Sequence, residues 1–344
     1  MRTALGIVLV LGFAVSLSTF CNGQMKGQLV RTSIVWNEAP INRDTDIVRW
    51  KNAWYVVCCE LQEEFFSKAK LRILSSRDGD RWESVGELDR PWPKASYRYD
   101  PVFSVDSSGR LHVTALGIRS KSWWTDDGRE WFESSEEILK DHEFSKGIWK
   151  NDAQIRYSHG SYDGNSSTVR FISNSSDTKS NVLYENTFDF IPDDAAMVAD
   201  GDRLYCMMSR QANNPIPKNL MLGRQFQNGW IGISDKPYEA WHWRPLELPI
   251  CVPNLIRLPD GRMIAAVGLS HKKDIITLCQ FDPVKGALSE FLEIPTATEN
   301  LIQASYHRQI AGLAYDSDYL WITYHATYEG KLAVHLAKVK LDSP

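Results

Sequence analysis

One unit recurs six times along this chain: a polar residue, a short apolar run, a tight turn, then a second apolar run rich in aromatic residues. The copies are DIVRWKNAWYVVCCE from Asp46, DPVFSVDSSGRLHVTALG from Asp100, DAQIRYSHGSYDG from Asp152, DAAMVADGDRLYCMMSR from Asp194, NLIRLPDGRMIAAVGLS from Asn254 and RQIAGLAYDSDYLWITYH from Arg308. Turn follows turn at roughly 40 to 60 residues, a period at which repeats build arrays rather than one continuous sheet. The dipeptides between the runs are Lys51-Asn52, Ser108-Gly109, His159-Gly160, Asp200-Gly201, Asp260-Gly261 and Asp316-Ser317, all with hairpin-turn chemistry.

Each hairpin leaves room for two more strands before the next one. Apart from a short segment at 133–140, no amphipathic helical pattern supplies crossover helices, so the sheets read as antiparallel. The expected fold is all-β: a six-bladed β-propeller of four-stranded antiparallel blades, in which radial repetition hides the sheet edges. Residues 332–341 read as an outer strand of the last blade, and 29–36 as its partner from the N-terminal end, closing the ring. With 43% hydrophobic residues the chain can bury a core, and its net charge of −4 argues against a nucleic-acid partner.

Arg2 followed by the apolar stretch 4–17 and small polar residues reads as an export signal over 1–23, leaving one domain over 24–344. That stretch is too short to span a bilayer, and no later one is long enough for a membrane helix. The expected location is secreted or periplasmic. Cys21 offers the alternative of a lipid anchor and a surface lipoprotein, although Phe20 before it is larger than such a site favours. The other five cysteines, Cys58, Cys59, Cys206, Cys251 and Cys279, are odd in number and irregularly spaced, so they read as buried small hydrophobes rather than a disulfide framework. Cys58 and Cys59, adjacent on a strand, must face opposite ways. No Cys/His or acidic-loop spacing fits a metal, and neither metal nor cofactor is expected.

In a hairpin the first strand starts, and the second ends, at the same sheet edge. Asp46, Asp100, Asp152, Asp194, Asn254 and Arg308 are therefore expected on one face of the disc near its axis. Glu60, Arg210, His271 and His325 close the second strands there, and Glu329 follows the last hairpin. Acids, arginines and histidines converging at one mouth are the signature of a site. Taken singly, each also suits a solvated strand end.

A second repeat is scaffold. Ser76-Arg77-Asp78-Gly79-Asp80-Arg81-Trp82 and Thr125-Asp126-Asp127-Gly128-Arg129-Glu130-Trp131 share S/T-x-D-G-x-x-W, with looser versions at Ser176-Asp177, at Ser234-Asp235 with Trp241 and Trp243, and at 282–286. The pattern suits a turn stapled by the Asp side chain, with Gly at positive φ and Trp folded back. It resembles the Asp box.

With these boxes, the stretches TDIVRWKNAWYVVCCE, YDPVFSVDSSGRLHV, SDKPYEAWHWRPL, PNLIRLPDGRMIAA, FDPVKGALSEFLEIP and YLWITYHATYEGKLAVHLAKVKL resemble the bacterial sialidase-like, BNR-repeat six-bladed propellers, a family of exo-sialidases and other glycosyl hydrolases. The resemblance covers nearly the whole chain after the leader and implies an extracytoplasmic protein acting on a glycan or glycoconjugate. True sialidases hold a carboxylate with three arginines and use a Tyr nucleophile, a Glu that activates it and an Asp acid/base. That pattern implies Asp46 or Asp100 as general acid, Tyr324 or a carboxylate such as Glu329 as nucleophile or base, and Arg210 with Arg98 as holders of an acidic group. Glu60, Asp194 and Arg308 complete the substrate-binding set. The chain departs from the pattern where Cys59 replaces an Arg, where Arg98 stands one place from the usual Arg-Asp-Pro, at Asp193-Asp194 and Ser209-Arg210-Gln211, and where Tyr328 replaces His. The missing arginine leaves an alternative: a catalytically degenerate carbohydrate-binding propeller. Phe65-Phe66 read as a lid or a sugar platform.

Overall fold

The computed structural model describes residues 25–62, 69–89, 100–116, 121–134, 143–144, 148–150, 153–160, 167–173, 181–186, 190–212, 226–296 and 311–342; side chains at 116, 143–193, 211–212 and 273 fall outside that description. Strand β1 (Gly27–Trp36) precedes the first blade, which is β2 (Ile41–Trp50), β3 (Ala53–Leu61), β4 (Lys70–Ser76) and β5 (Glu83–Asp89), hydrogen-bonded in that order. The second blade is β6 (Asp100–Val105), β7 (Leu111–Leu116), β8 (Lys121–Thr125) and β9 (Phe132–Glu133). In the third, two short strands, β10 (Glu143–Phe144) and β11 (Ile148–Lys150), both pair with β12 (Ala153–Gly160), followed by β13 (Ser167–Ser173) and β14 (Asn181–Asn186).

The fourth blade is β15 (Phe190–Asp200), β16 (Arg203–Ala212), β17 (Phe226–Asp235) and β18 (His242–Pro245). The fifth is β19 (Ile250–Arg257), β20 (Met263–Leu269), β21 (Lys272–Asp282) and β22 (Ala287–Pro295). The last blade is β23 (Gly312–Asp316), β24 (Tyr319–Tyr328) and β25 (Lys331–Leu341), completed by β1. The protein is a six-bladed, four-stranded antiparallel β-propeller. No helix among the described residues is long and apolar enough to cross a membrane.

Ring closure follows the sequence expectation. Strand β1 pairs antiparallel with β25 from Gly27↔Leu341 to Trp36↔Val334, and a single parallel bridge from Ile41 to Leu332 joins the last blade to the first. Further contacts at Met25, just before β1, and at Arg31 within it fix the strand. Met25 is buried in the seam between the fifth and sixth blades, and its backbone N–H donates to Gln280 Oε1 at 3.1 Å. Arg31 donates to the Gly79 carbonyl at 3.2 Å and pairs with Asp80, both in the first blade.

The core lies between blades. Alternation along each strand sends apolar residues to both faces, and each face packs against the next blade. Cys58 joins Ile47, Trp54, Val56 and Trp321 in the seam with the last blade, whereas Cys59 joins Val57, Leu71, Phe103 and Val113 in the seam with the second. Among the described residues every cysteine is free.

Turn chemistry accounts for the hairpins. Lys51 and Asn52 have φ of 44° and 63°, and Ser317 and Asp318 have 52° and 70°, the two left-handed central residues that a type I′ turn needs. The third repeat differs from expectation. His159 and Gly160 lie in strand β12, opposite Val169 and Thr168, rather than in a turn. Lys150 pairs with Ala153, and residues 151–152 between them lie outside the description. Trp149-Lys150-Asn151 repeats the Trp50-Lys51-Asn52 that turns the first blade. Asp152, expected at the mouth edge, lies outside the described residues. The expected helical segment at 133–140 begins in β9, and residues 135–142 lie outside the description.

The Asp boxes are turns between third and fourth strands. Asp78 Oδ1 accepts from the N–H groups of Asp80 (2.8 Å) and Arg81 (3.1 Å) and from the Ser76 hydroxyl (3.0 Å). These bonds hold its carboxyl down at about 2. Asp127 repeats the arrangement with Arg129, Glu130 and Thr125, and Asp282 accepts from Val284 and Lys285. Ser234-Asp235 does not form such a box: the Ser234 hydroxyl donates to the Ala240 carbonyl, and Asp235 pairs with Arg203. Each box glycine also faces the preceding blade. A Cβ at Gly79 would enter the Trp321 ring, at Gly128 the Tyr55 hydroxyl, and at Gly286 the Arg244 guanidinium. Gly128→Ala is expected to lower stability by about 2 kcal/mol or more, through both the clash and a φ of 80°. Gly109→Ala, with a φ of 82° and open space around it, should cost only about 1 kcal/mol. Equal midpoint shifts for the two variants in urea unfolding would contradict the seam contact.

Candidate active site

Inner strands run from the mouth edge of the disc to the turn edge, and three of them are irregular near the mouth. The pairing shifts between Arg43 and Thr45 in β2, between Pro192 and Ala195 in β15 and between Cys251 and Asn254 in β19. A bulge adds a residue to one strand and re-aims the neighbouring side chains. Asp44 has a φ of 48° and Val252 a φ of 43°. Asp tolerates that region, whereas a β-branched residue there is strained.

At the first bulge Arg43 and Asp44 are both buried, and their side chains pair, Nε to Oδ2, at 3.2 Å. Arg43 lies opposite Cys59 in the ladder, and Asp44, Arg43, Asp100 and Glu60 all act electrostatically on the Cys59 thiol, whose deprotonation burial suppresses before any of them. Glu60 ends its strand in a closed network. Its Oε1 accepts from Trp36 Nε1 at 2.5 Å and from Arg72 Nε at 3.0 Å, and its Oε2 accepts from Arg72 Nη2 at 3.0 Å. Arg72 reaches on to Glu87 at 2.7 Å, and Glu87 also pairs with Lys70. Side-chain bonding from Glu60 raises the Arg72 guanidinium above its usual range.

The residues singled out in the sequence separate into groups. Asp100 starts β6 at the mouth, half-buried. Asp194 sits half-buried at the β15 bulge and faces blade five, where it adds to the burial that pushes the Cys251 thiol up to about 12. Glu329 is exposed in the turn after β24, with a φ of 49°, and accepts the Tyr328 hydroxyl, whose proton that bond helps to retain. Arg210 is held on the blade-four side, its Nη2 donating to Gln227 Oε1 at 3.1 Å, its Nη1 to the Asn228 carbonyl at 3.3 Å, and its guanidinium over Trp230. Asp46 and Asn254 lie within the seams. Asp46 Oδ2 accepts the Phe103 N–H of blade two at 2.8 Å, and Asn254 Nδ2 donates to the Ala311 carbonyl of blade six at 2.6 Å. They are the same device on two blades, a polar side chain that clips one inner strand to the next. Tyr324 is buried in the seam between blades five and six, stacked on His335 at 5.4 Å, and burial pushes its phenol up to about 12.

Arg98, Arg308, the Phe65-Phe66 segment and the leader with Cys21 lie outside the described residues. Arg43, Asp44 and Arg72 escaped the sequence reading. Strand β2 begins at Ile41, five residues before Asp46, the first residue of the sequence repeat. The polar run Asn42-Arg43-Asp44 next to a repeat was the available signal, and a bulge conceals it because it breaks the alternation.

No family model matches this sequence, and no curated protein matches it. Solved structures do. A protein of unknown function from Dyadobacter fermentans superposes with a TM-score of 0.70 at 10% identity, covering 92% of this chain and 99% of that one. The Penicillium chrysogenum α-L-arabinanase in complex with arabinobiose superposes with a TM-score of 0.66 at 14% identity, covering 91% and 98%. The fold is that of the β-propeller glycoside hydrolases. Trypanosoma rangeli sialidase shares it at a TM-score of 0.56 and 11% identity, and there the match spans 87% of this chain but 55% of the other. At these identities the likeness concerns the fold.

In this propeller fold Asp46 belongs to the architecture. Asp46→Ala is expected to lower stability by about 1 to 3 kcal/mol by leaving the Phe103 N–H without its acceptor in a buried seam, and Asp46→Asn by less, since an amide oxygen can still accept. Urea unfolding measures both; an Asp46→Ala midpoint equal to wild type would contradict the clip.

Proposed function

We propose that the protein is an exo-acting glycoside hydrolase working on glycans outside the cytoplasm, with its export directed by residues 1–23. The observation that carries this reading is the set of ionisable side chains at the mouth of blades one and two, where Arg43 and Asp44 pair at the bulge opposite Cys59, Glu60 follows Cys59 and Asp100 starts β6, on a fold shared with glycosidases. Grouped ionisable side chains at the end of a rigid scaffold are how propellers and barrels build sites.

Of the four residues proposed for catalysis, Asp100 and Glu329 stand at the open edge, whereas Asp46 and Tyr324 are tied into seams. We assign Asp100 as the acid that protonates the leaving oxygen and Glu329 as the carboxylate that activates water or attacks the anomeric carbon. The raised phenol of Tyr324 favours carboxylate chemistry over a tyrosine nucleophile. Asp194 and Arg210 contribute hydrogen bonds to sugar hydroxyls from the opposite blades, with Arg98 and Arg308 completing the substrate-binding set.

One observation favours the catalytically degenerate binding propeller instead. Glu60, at the same edge, already accepts three hydrogen bonds from Arg72 and Trp36 and is drawn away from substrate chemistry. A panel of aryl glycosides including the α-L-arabinofuranoside and the α-sialoside separates the readings. Turnover of one member, reduced about 10²- to 10⁴-fold in both Asp100→Asn and Glu329→Gln with unchanged unfolding midpoints, is the expected result. Unaltered turnover in both variants contradicts the assignment, and sugar binding without turnover selects the binding propeller.

A further inference from the structure

We infer that Asp44 is a specificity-determining residue that reserves the site for an uncharged sugar by occupying Arg43; this rests on the glycan reading above and names its substrate class. Arginine at a sugar site ordinarily recognises a carboxylate, because its planar fork makes two parallel charge-assisted bonds. Arg43 is the one arginine placed on the inner strand of blade one near the mouth, and its guanidinium already has a carboxylate beside it. Asp44, the next residue, reaches its Nε at 3.2 Å as an ion pair without hydrogen-bond geometry, and both side chains are more than nine-tenths buried. The bulge makes this possible. Neighbours in a regular strand point to opposite faces, whereas a left-handed Asp44, φ 48°, turns its side chain back toward Arg43.

Charge accounting gives the same answer. Glu60 is paired with Arg72 through two hydrogen bonds, which weakens but does not cancel the negative field it adds near Arg43. Among the described groups that act on Cys59, one cation, Arg43, stands against Asp44, Asp100 and Glu60. An incoming carboxylate would have to displace Asp44 from a buried ion pair and then sit beside these acids. Breaking such a pair leaves a buried charge without compensation. A hydroxyl of a neutral sugar needs neither step. It can donate to the Asp44 or Asp100 carboxylates and leave the pair intact.

Binding of galacturonic acid, N-acetylneuraminic acid, galactose and L-arabinose to the full mature chain, followed by saturation-transfer NMR or calorimetry, reads this without requiring turnover. Wild type is expected to bind a neutral sugar at least about tenfold more tightly than either acid. Asp44→Asn should shift that ratio toward the acids by about tenfold or more, because it removes the charge that competes for Arg43 in a buried pair, and Arg43→Gln in the same background should remove the gain. Wild-type preference for an acidic sugar overturns the inference, as does a folded Asp44→Asn with an unchanged ratio. If Asp44→Asn fails to fold, the wild-type preference and the Asp44→Ser ratio decide. A wild-type protein that binds none of the four sugars overturns the glycan reading itself, whereas one that binds acids leaves that reading standing and removes only this inference.

Discussion

Everything placed at the mouth depends on the pairing of β1 with β25. Blades in a propeller hold one another through side-chain seams, and without a closing strand the first and last blades would expose both a sheet edge and an apolar face. Here the N-terminal strand supplies the outer strand of the last blade, and contacts along it reach blade five through Met25 and Gln280 and blade one through Arg31 and Gly79. One strand therefore ties three blades. The inner strands close on the other side: a Cβ at Gly312 would lie 2.8 Å from the Asp46 Cα, so blades six and one approach backbone to backbone.

Polar residues of the inner strands then divide by height. Those deeper in the wheel, Asp46 and Asn254, face neighbouring backbone and are consumed in holding it. Those at the bulges and strand starts stand at the rim, Arg43, Asp44 and Asp100 by blades one and two and Asp194 by blades four and five. Depth along the strand, not residue type, separates clip from candidate. The strained Val252 at the matching bulge of blade five shows that the irregularity is imposed by the architecture and recurs where a rim is built.

The repeat period, the turn dipeptides, the Asp boxes and the closing strand were legible in the sequence because each rests on local chemistry: φ above zero, an Asx-type cap, alternation. The third blade was less legible because His159-Gly160 satisfies turn chemistry, and only strand pairing shows that it lies within β12. The site was less legible for the same kind of reason. Asp46 and Tyr324 have the residue types a glycosidase needs, but whether a side chain faces a seam or the mouth depends on register, and a one-residue bulge changes register without a mark in composition. Arg72 contributes to the rim from a third strand, a position that a hairpin-based reading does not sample.

Native-state hydrogen exchange along β1 tests the closure most directly. If β1 is the clasp of the ring, its ladder amides from 29 to 36 exchange only through global unfolding, with the same opening free energy as those of β24 in the same blade. Exchange of β1 amides within seconds to minutes, while β24 stays protected, would show that the ring stands without its N-terminal strand and would contradict the account.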